Sequence, residues 1–239
     1  MKVLHWYYDI MNLYGEYGNV KIIEKYLKTQ FDEVIIDYKT IGDNLDISQY
    51  DIIYIGCGTE KKQLVVLEDM RKYIIDLGRA IEDNKIILAT GNSWELFGNE
   101  INFSDNSKIE ALQIFNYNTY IKEERIIKDI IYNSDLIDKY IVGSINKMSS
   151  IDNIDSPLFK IKYGIGNNQN DDNEGFIHNN FYGTHVLGPI LMKNPYLLEY
   201  IIKKECENKN VEYKKIEFNE YEIKSYEISL KELTNVYEK

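Results

Sequence analysis

The stretch ATGNSWELFG, residues 89–98, follows an apolar run and precedes a short segment with helical spacing. A strand, a tight bend and a helix start in this order are typical of a nucleophile elbow, in which the reactive side chain lies at the apex of the turn. The apex residues here are Gly91 and Asn92, and neither carries a nucleophile. Ser93 follows them, and the preference of serine for N-cap positions predicts that it caps the turn at residues 94–97.

On either side of this bend, the first half of the chain alternates short apolar runs with longer segments of helical period. The predicted strands are residues 2–8, 33–38, 50–56 and 85–90, and the predicted helices are residues 20–31 and 61–83. The second helix would bury one apolar stripe, which consists of Leu67, Met70, Ile74, Leu77 and Ile81. This pattern predicts an α/β fold with a mainly parallel sheet covered by helices.

The second half consists mostly of strand-like pieces joined by polar turns, which predicts antiparallel additions to the sheet. The next helix is expected at Asn194-Pro195, where Asn can cap free amides and Pro fits the first helical position. No repeat or flexible linker divides the chain. We therefore expect one domain over residues 1–206 and a charged C-terminal extension, residues 207–239, that packs on or trails from it.

Composition excludes several functional classes. The chain has 239 residues and a formal net charge of −11, which disfavours a nucleic acid partner because phosphate binding needs clustered Lys and Arg. No apolar run is long enough to span a bilayer, so we expect a cytoplasmic protein without membrane insertion. The two cysteines show no metal-ligand spacing, and the acidic turn at residues 163–175 does not match a calcium loop. The sequence thus indicates no metal site and no cofactor.

A second glycine-containing turn follows the strand predicted at residues 50–56. Gly56 and Gly58 flank Cys57 there. Glycines at such a place bring backbone N–H groups close to a ligand, as in an oxyanion hole. The alternative is an ordinary strand-to-helix turn, for which glycines are common.

Taken together, the motifs resemble those of the class I glutamine amidotransferases of the cobyric acid synthase branch, and most of all its GatD-type subunits. The resemblance covers about residues 9–206, and its motifs are MNLYGEYGNV, YDIIYIGCGTEKKQ, AIEDNKIILATGNSWELFG, YIVGSINK, YGIGNN, NEG and GTHVLGPILMKNP. It implies a three-layer, flavodoxin-like fold. It also implies glutamine hydrolysis by a Cys–His pair, with the ammonia passed to a Mur ligase-like synthetase of the MurT type.

Two substitutions separate this chain from that chemistry. The family's elbow, approximately ICGGYQxLG, places the nucleophilic Cys at Gly91, and the family's GTYLHGP motif places the catalytic His at Leu187. We call these two residues the nucleophile position and the histidine position. By the same resemblance, Gly56, Gly58, Gly91, Asn92, Leu187 and Arg125 would line the glutamine site. Arg125 matches an arginine that the family uses there.

Three hypotheses follow. Without the Cys–His pair the covalent route has no starting point, which favours a non-catalytic binding or regulatory subunit of a Mur ligase-like synthetase. A second hypothesis is an active glutaminase that uses Cys57 and His185 as a displaced pair, since residues 185 and 187 of an extended strand share one side. The third is a sensor that binds glutamine or a related small molecule through Arg125.

Overall fold

The central sheet lies in the middle of the domain, and the predicted elbow follows the carboxyl end of one of its inner strands. The computed structural model describes residues 1–238. The sheet has six strands in the order β11-β12-β4-β3-β1-β2. Their bounds are Lys2–Trp6 (β1), Ile35–Lys39 (β2), Ile52–Ile55 (β3), Ile86–Thr90 (β4), Phe176–His178 (β11) and Phe181–Thr184 (β12). All neighbours are parallel except β11, which pairs antiparallel with β12.

Both faces of this sheet are covered, because every residue of β3 and β4 is buried. One face packs on α1 (Tyr17–Leu27) and α5 (Pro195–Asn208) through residues such as Tyr54 and Leu88. The other packs on α2 (Glu60–Met70) and α3 (Ile74–Glu82) through residues such as Ile53 and Ile87. Side chains that alternate along each strand therefore fill two separate cores. This three-layer arrangement confirms the predicted fold class.

The helix predicted over residues 61–83 is two helices separated by a 3₁₀ turn at Arg71–Tyr73. No proline or glycine marks this break. The guanidinium of Arg71 donates to the backbone oxygens of Glu110 and Ala111, which ties the break to a following segment of chain. The predicted stripe is buried except for Ile74, which is partly buried just after the break.

Most of the antiparallel strands make up a second sheet. It consists of β5 (Glu100–Asn102), β6 (Lys108–Glu110), β7 (Asn118–Asn133), β8 (Ile141–Asp152), β9 (Phe159–Tyr163), β10 (Asn173–Glu174) and β13 (Val186–Leu187). The long hairpin of β7 and β8 is interrupted between Ile121 and Ile126, where the register shifts. Such a bulge redirects side chains, and Arg125 lies within it.

From residue 190 onward the described chain is mainly helical. The short helix α4 (Ile190–Lys193) leads into α5, whose first residue is Pro195 as predicted. The predicted capping by Asn194 is wrong: its side-chain amide instead bonds to both backbone groups of Val142, which anchors the helix start to β8. The helix α6 (Glu220–Tyr237) packs on the second sheet through Tyr226. Over residues 1–238 no helix is long and apolar enough to cross a membrane.

Candidate functional site

The predicted elbow and the glycine turn lie side by side because β3 and β4 are adjacent parallel strands. Ile55 pairs with Ala89 near their carboxyl ends, and the two turns follow directly. Carboxyl ends of parallel strands are the usual location of sites in α/β proteins. A wall of this site comes from β8 and β13, which pair with each other through Ile145–Val186 and Ser144–Leu187.

Gly91 keeps the backbone of an elbow, but the space for a side chain is filled. Its φ of +64° lies in the left-handed region, which favours glycine. A Cβ added there would lie 2.6 Å from the Cys57 sulfur, closer still to the Cys57 Cβ, and 3.0 Å from Leu187 Cδ2. Two neighbours thus occupy the volume of the side chain that is missing at the nucleophile position.

The side chain of Asn92 is hydrogen-bonded to the Gly58 backbone N–H, which is a donor that an oxyanion would need. Its side-chain Oδ1 accepts from the Gly58 N–H at 3.0 Å, and its Nδ2 donates to the Gly58 carbonyl at 3.0 Å. The backbone N–H of Asn92 follows the nucleophile position, as an oxyanion donor does in such elbows. One of the two candidate oxyanion donors, the Gly58 N–H, is therefore engaged within the protein.

Cys57 is packed as a neutral thiol. Its side chain is 4% exposed, and its sulfur donates to the Gly58 carbonyl at 3.6 Å. Burial raises the pKa of the thiol to about 12, while the hydrogen bond from the Asn92 backbone acts in the opposite direction. Because the thiolate is the nucleophilic form, the thiol in this environment is unreactive near neutral pH.

His185 bonds to a different set of groups. It lies between β12, which belongs to the central sheet, and β13, which belongs to the second sheet, so simple strand alternation does not apply to it. Its Nε2 is 3.0 Å from Glu95 Oε1 and 3.2 Å from Ser149 Oγ. Within residues 1–238 no hydrogen bond joins His185 to Cys57. The two side chains of the displaced-pair hypothesis therefore have separate partners.

Ser93 has a structural role that differs from the predicted N-cap. It lies inside a 3₁₀ helix over Gly91–Phe97, and Thr90 is the residue before that helix. The Ser93 hydroxyl donates to the carbonyls of Ile55 at 3.0 Å and Thr90 at 2.9 Å. It thereby ties the ends of β3 and β4 together. The capping prediction was wrong because it considered only neighbours in the chain.

A small cavity remains where the resemblance places the glutamine site. Its volume is about 100 Å³, below the roughly 300–1,000 Å³ of ordinary ligand pockets. Arg125 lines it but forms an ion pair with Glu60 and donates to Asn146 Oδ1 at 2.8 Å. Asn146 in turn donates to the Tyr14 hydroxyl at 2.9 Å. A ligand carboxylate would have to share Arg125 with Glu60 or displace it.

Buried charged residues surround this cavity, and sequence reasoning gave them little weight. Glu95 stands where the family elbow has Gln, and it accepts hydrogen bonds from Gln63 and Ser149. Lys147 ends the YIVGSINK motif, at the place where the family signature, approximately GFENH, has a His, and it is 5% exposed. Burial lowers the pKa of its ammonium to about 8, although nearby carboxylates oppose that effect. The sequence signal that could have identified these two residues was their departure from the family's motifs.

A second buried carboxyl, Glu16, joins the segment before the first helix to the elbow. It accepts hydrogen bonds from the Tyr54 hydroxyl at 2.6 Å, the Thr90 hydroxyl and the Gly188 N–H. Burial raises its pKa, and these hydrogen bonds oppose the rise. The carboxyl thus connects the segment before α1 to β3, β4 and the turn after β13.

Comparisons with known proteins agree with this architecture. Residues 2–195 match the CobB/CobQ-like glutamine amidotransferase domain, and the chain belongs to that family. It is 28% identical over 211 residues to the lipid II isoglutaminyl synthase (glutamine-hydrolyzing) subunit GatD of Staphylococcus aureus, covering 88% of this chain and 86% of that one. Identity to the same subunit of Streptococcus pneumoniae is 26%, with 87% and 82% covered.

A solved structure shows the same fold. A glutamine amidotransferase from Thermotoga maritima superposes with a TM-score of 0.52 at 11% identity, covering 97% of this chain and 91% of that one. At this identity the likeness concerns the fold alone.

Proposed function

We propose that this chain is a GatD-like subunit that has lost glutamine hydrolysis and acts by binding or regulating a Mur ligase-like synthetase. The observation that carries the proposal is the filled nucleophile position. The side chains of Cys57 and Leu187 occupy the space beside Gly91. An inactive member can keep such a scaffold only if another property of the domain, such as partner binding, is useful.

Three further features support the loss of hydrolysis. The Gly58 N–H is bonded to the Asn92 side chain, so an oxyanion has one donor fewer. Cys57 is neutral, and His185 is bonded to Glu95 and Ser149. Among the described residues no hydrogen bond joins the Cys57 thiol to this imidazole, whereas covalent amide hydrolysis needs a nucleophile that an adjacent base activates.

The relatives' names indicate what kind of partner to test. Both curated relatives are subunits of a lipid II isoglutaminyl synthase, which implies a second, synthetase subunit. The experiment is co-expression with the Mur ligase-like protein encoded nearest to this chain, followed by co-purification. A stable stoichiometric complex is expected, and failure of the two purified proteins to associate would contradict the proposal.

Glutaminase activity is tested with the same material. Ammonia release from glutamine is measured for the wild type and for Cys57→Ala, alone and in the complex, beside an active amidotransferase as positive control. We expect no release above background in any of the four samples. Activity that disappears in Cys57→Ala would instead support the displaced Cys57–His185 pair.

The sensor hypothesis requires its own measurement, because Arg125 lies at the mouth of the small cavity. If glutamine binds there, its carboxylate bonds to the guanidinium beside Glu60 or in its place, and calorimetry should show saturable heat that Arg125→Ala abolishes. The ion pair with Glu60 and the small volume favour the non-catalytic subunit over this sensor. Absence of heat for glutamine would end the sensor hypothesis at Arg125.

A further inference from the structure

A second cavity lies next to the small one and is much larger. Its volume is about 700 Å³, within the range of small-molecule pockets. The second cavity is bounded by the β7–β8 hairpin and by the loop over residues 165–171. Lys147 and Ser149 line both cavities. The β7–β8 bulge separates the two, with Arg125 at the small cavity and Lys122 at the second.

The polar groups of the two cavities differ in how far they are hydrogen-bonded. In the small cavity, Arg125, Asn146 and Asn92 are bonded to other parts of the protein. In the second cavity, among the hydrogen bonds of residues 1–238, none involves the side chains of Lys122 or Ser150. Asp152 and Asp171 each use only Oδ1 to accept hydrogen bonds from Asn side chains or backbone. Donors and acceptors are therefore available to a ligand in the second cavity.

Lys147 supplies a cation that water screens poorly. Its ammonium donates to the carbonyls of Gly166 at 2.7 Å and Asn167 at 3.1 Å, and an ammonium has three protons to donate. One N–H therefore remains for another acceptor. Because Lys147 itself is buried, attraction between its ammonium and a carboxylate is stronger than attraction between two fully exposed charges.

We propose that the second cavity binds a zwitterionic ligand, a free α-amino acid or a dipeptide. The carboxylate of the ligand would bond to the ammonium groups of Lys147 and Lys122. Its own ammonium would bond to the free carboxylate oxygens of Asp152 and Asp171. Two cations and two carboxylates line this cavity, so a ligand with one charge of each sign matches it better than a purely anionic or cationic one.

The test is isothermal titration calorimetry on the full chain with four probes: L-glutamine, L-glutamate, L-lysine and L-alanyl-L-alanine. We expect saturable heat for at least one probe, and at least tenfold weaker binding by Lys147→Met. Arg125→Ala is the matched control, since it changes a cation of the small cavity only, and its affinity should stay within about twofold of wild type. Removal of either charge from the best probe, as its deaminated acid or decarboxylated amine, should also abolish binding.

Two outcomes would overturn the proposal: no saturable heat with any of the four probes, or Lys147→Met binding as tightly as wild type. Because Lys147 is buried and its variant can misfold, the exposed Lys122→Met and the partly exposed Asp171→Asn provide a second route. A drop in affinity in both supports the site, and unchanged affinity in both contradicts it. If binding disappears only in Arg125→Ala, the ligand occupies the small cavity and the proposal is wrong.

Discussion

At the scale of single residues, the site departs from the family's motifs at two positions that contact each other, the nucleophile position Gly91 and the histidine position Leu187. Gly91 lacks a side chain, and Cys57 together with Leu187 fills the space. Protein interiors are closely packed, so an empty space beside Gly91 would lose van der Waals contacts and an extra side-chain atom there would clash. The residue types at these three positions therefore depend on one another. The Cys57 sulfur is therefore best understood as a packing group, in agreement with its buried, neutral state.

The packing at Gly91 predicts that Gly91→Ala destabilises the fold strongly. The new Cβ meets Cys57 and Leu187, and alanine is strained at a φ of +64°. Strain of about 1–2 kcal/mol and overpacking of about 1–3 kcal/mol together predict a loss of about 2–5 kcal/mol in urea unfolding. Gly42→Ala is the control, since its φ is +86° but nothing lies within 4 Å of the added Cβ. A Gly91→Ala effect equal to that of Gly42→Ala would show that the space is not filled.

Glu205 predicts a pH dependence of stability. It is 1% exposed, its Oε1 has no hydrogen-bond partner within residues 1–238, and burial raises its pKa from 4.5 to about 7. The folded state therefore holds this proton more tightly than the unfolded state. The stabilising contribution of Glu205 is fully present below pH 4.5 and is lost as the pH rises to about 7. The free energy of unfolding should fall by about 3 kcal/mol over this range.

Urea unfolding across pH 4.5–7 measures this dependence by comparing wild type with Glu205→Gln. The variant should lack the downward slope with rising pH, and the difference between the two curves isolates Glu205 from other titrating groups. Glu207→Gln in the same helix is the control, because the Glu207 side chain is largely exposed and pairs with Lys204. Parallel curves for wild type and Glu205→Gln would refute the assignment.

At the scale of elements, α6 shows how a charged tail can become ordered. Asn219 accepts from the N–H groups of Tyr221 and Glu222, and the Glu222 side chain accepts from the Asn219 N–H, which is a capping box. Glu222 also pairs with Lys25 at 2.7 Å and accepts from the Tyr26 hydroxyl. One side chain thus both starts α6 and joins it to α1. Local sequence shows the capping residues, but the contact with α1 arises only in the folded chain.

The double role of Glu222 predicts an order of effects for three substitutions in α6. Asn219→Ala should cost about 1 kcal/mol, the usual effect of losing an N-cap. Glu222→Ala should cost more, about 2 kcal/mol, because the bonds to Lys25 and Tyr26 are lost too. Glu220→Ala is the control, since Glu220 pairs only with Lys224 of its own helix among the described residues. Amide hydrogen exchange of α6 should rise in the same order, and equal effects of all three would contradict the link to α1.

At the scale of the whole molecule, the fold could be predicted from sequence because it depends on local pattern and motif order. Strand periodicity predicted the parallel core, the elbow alignment placed the family's Cys at Gly91, and the GTYLHGP motif placed its His at Leu187. The bond between Asn92 and Gly58 and the packing of Cys57 could not be predicted, since they depend on how two separate turns meet. The partners of His185 were missed for the same reason, because the residue lies where the chain passes from one sheet to the other.

The retained scaffold predicts that activity can be rebuilt. Gly91→Cys supplies the nucleophile, Cys57→Gly removes the group that fills its space, Leu187→His supplies the base, and Asn92→Gly frees the Gly58 N–H. The combined variant should release ammonia from glutamine above wild type and should react with a thiol-alkylating glutamine analogue. Gly91→Cys alone should do neither, because Cys57 and Leu187 still fill the space.

Matched controls separate restored chemistry from an altered fold. The same combination without Leu187→His should keep a native thermal transition and lose most of the gain, since the thiol then lacks its base. A second control restores Asn92 in the otherwise complete variant and should lower the rate by about 10²–10³, the usual effect of losing one oxyanion donor. If the complete variant folds but its thiol stays unreactive toward the analogue, the substitutions at Gly91 and Leu187 and the bonds between Asn92 and Gly58 do not explain the proposed loss of hydrolysis.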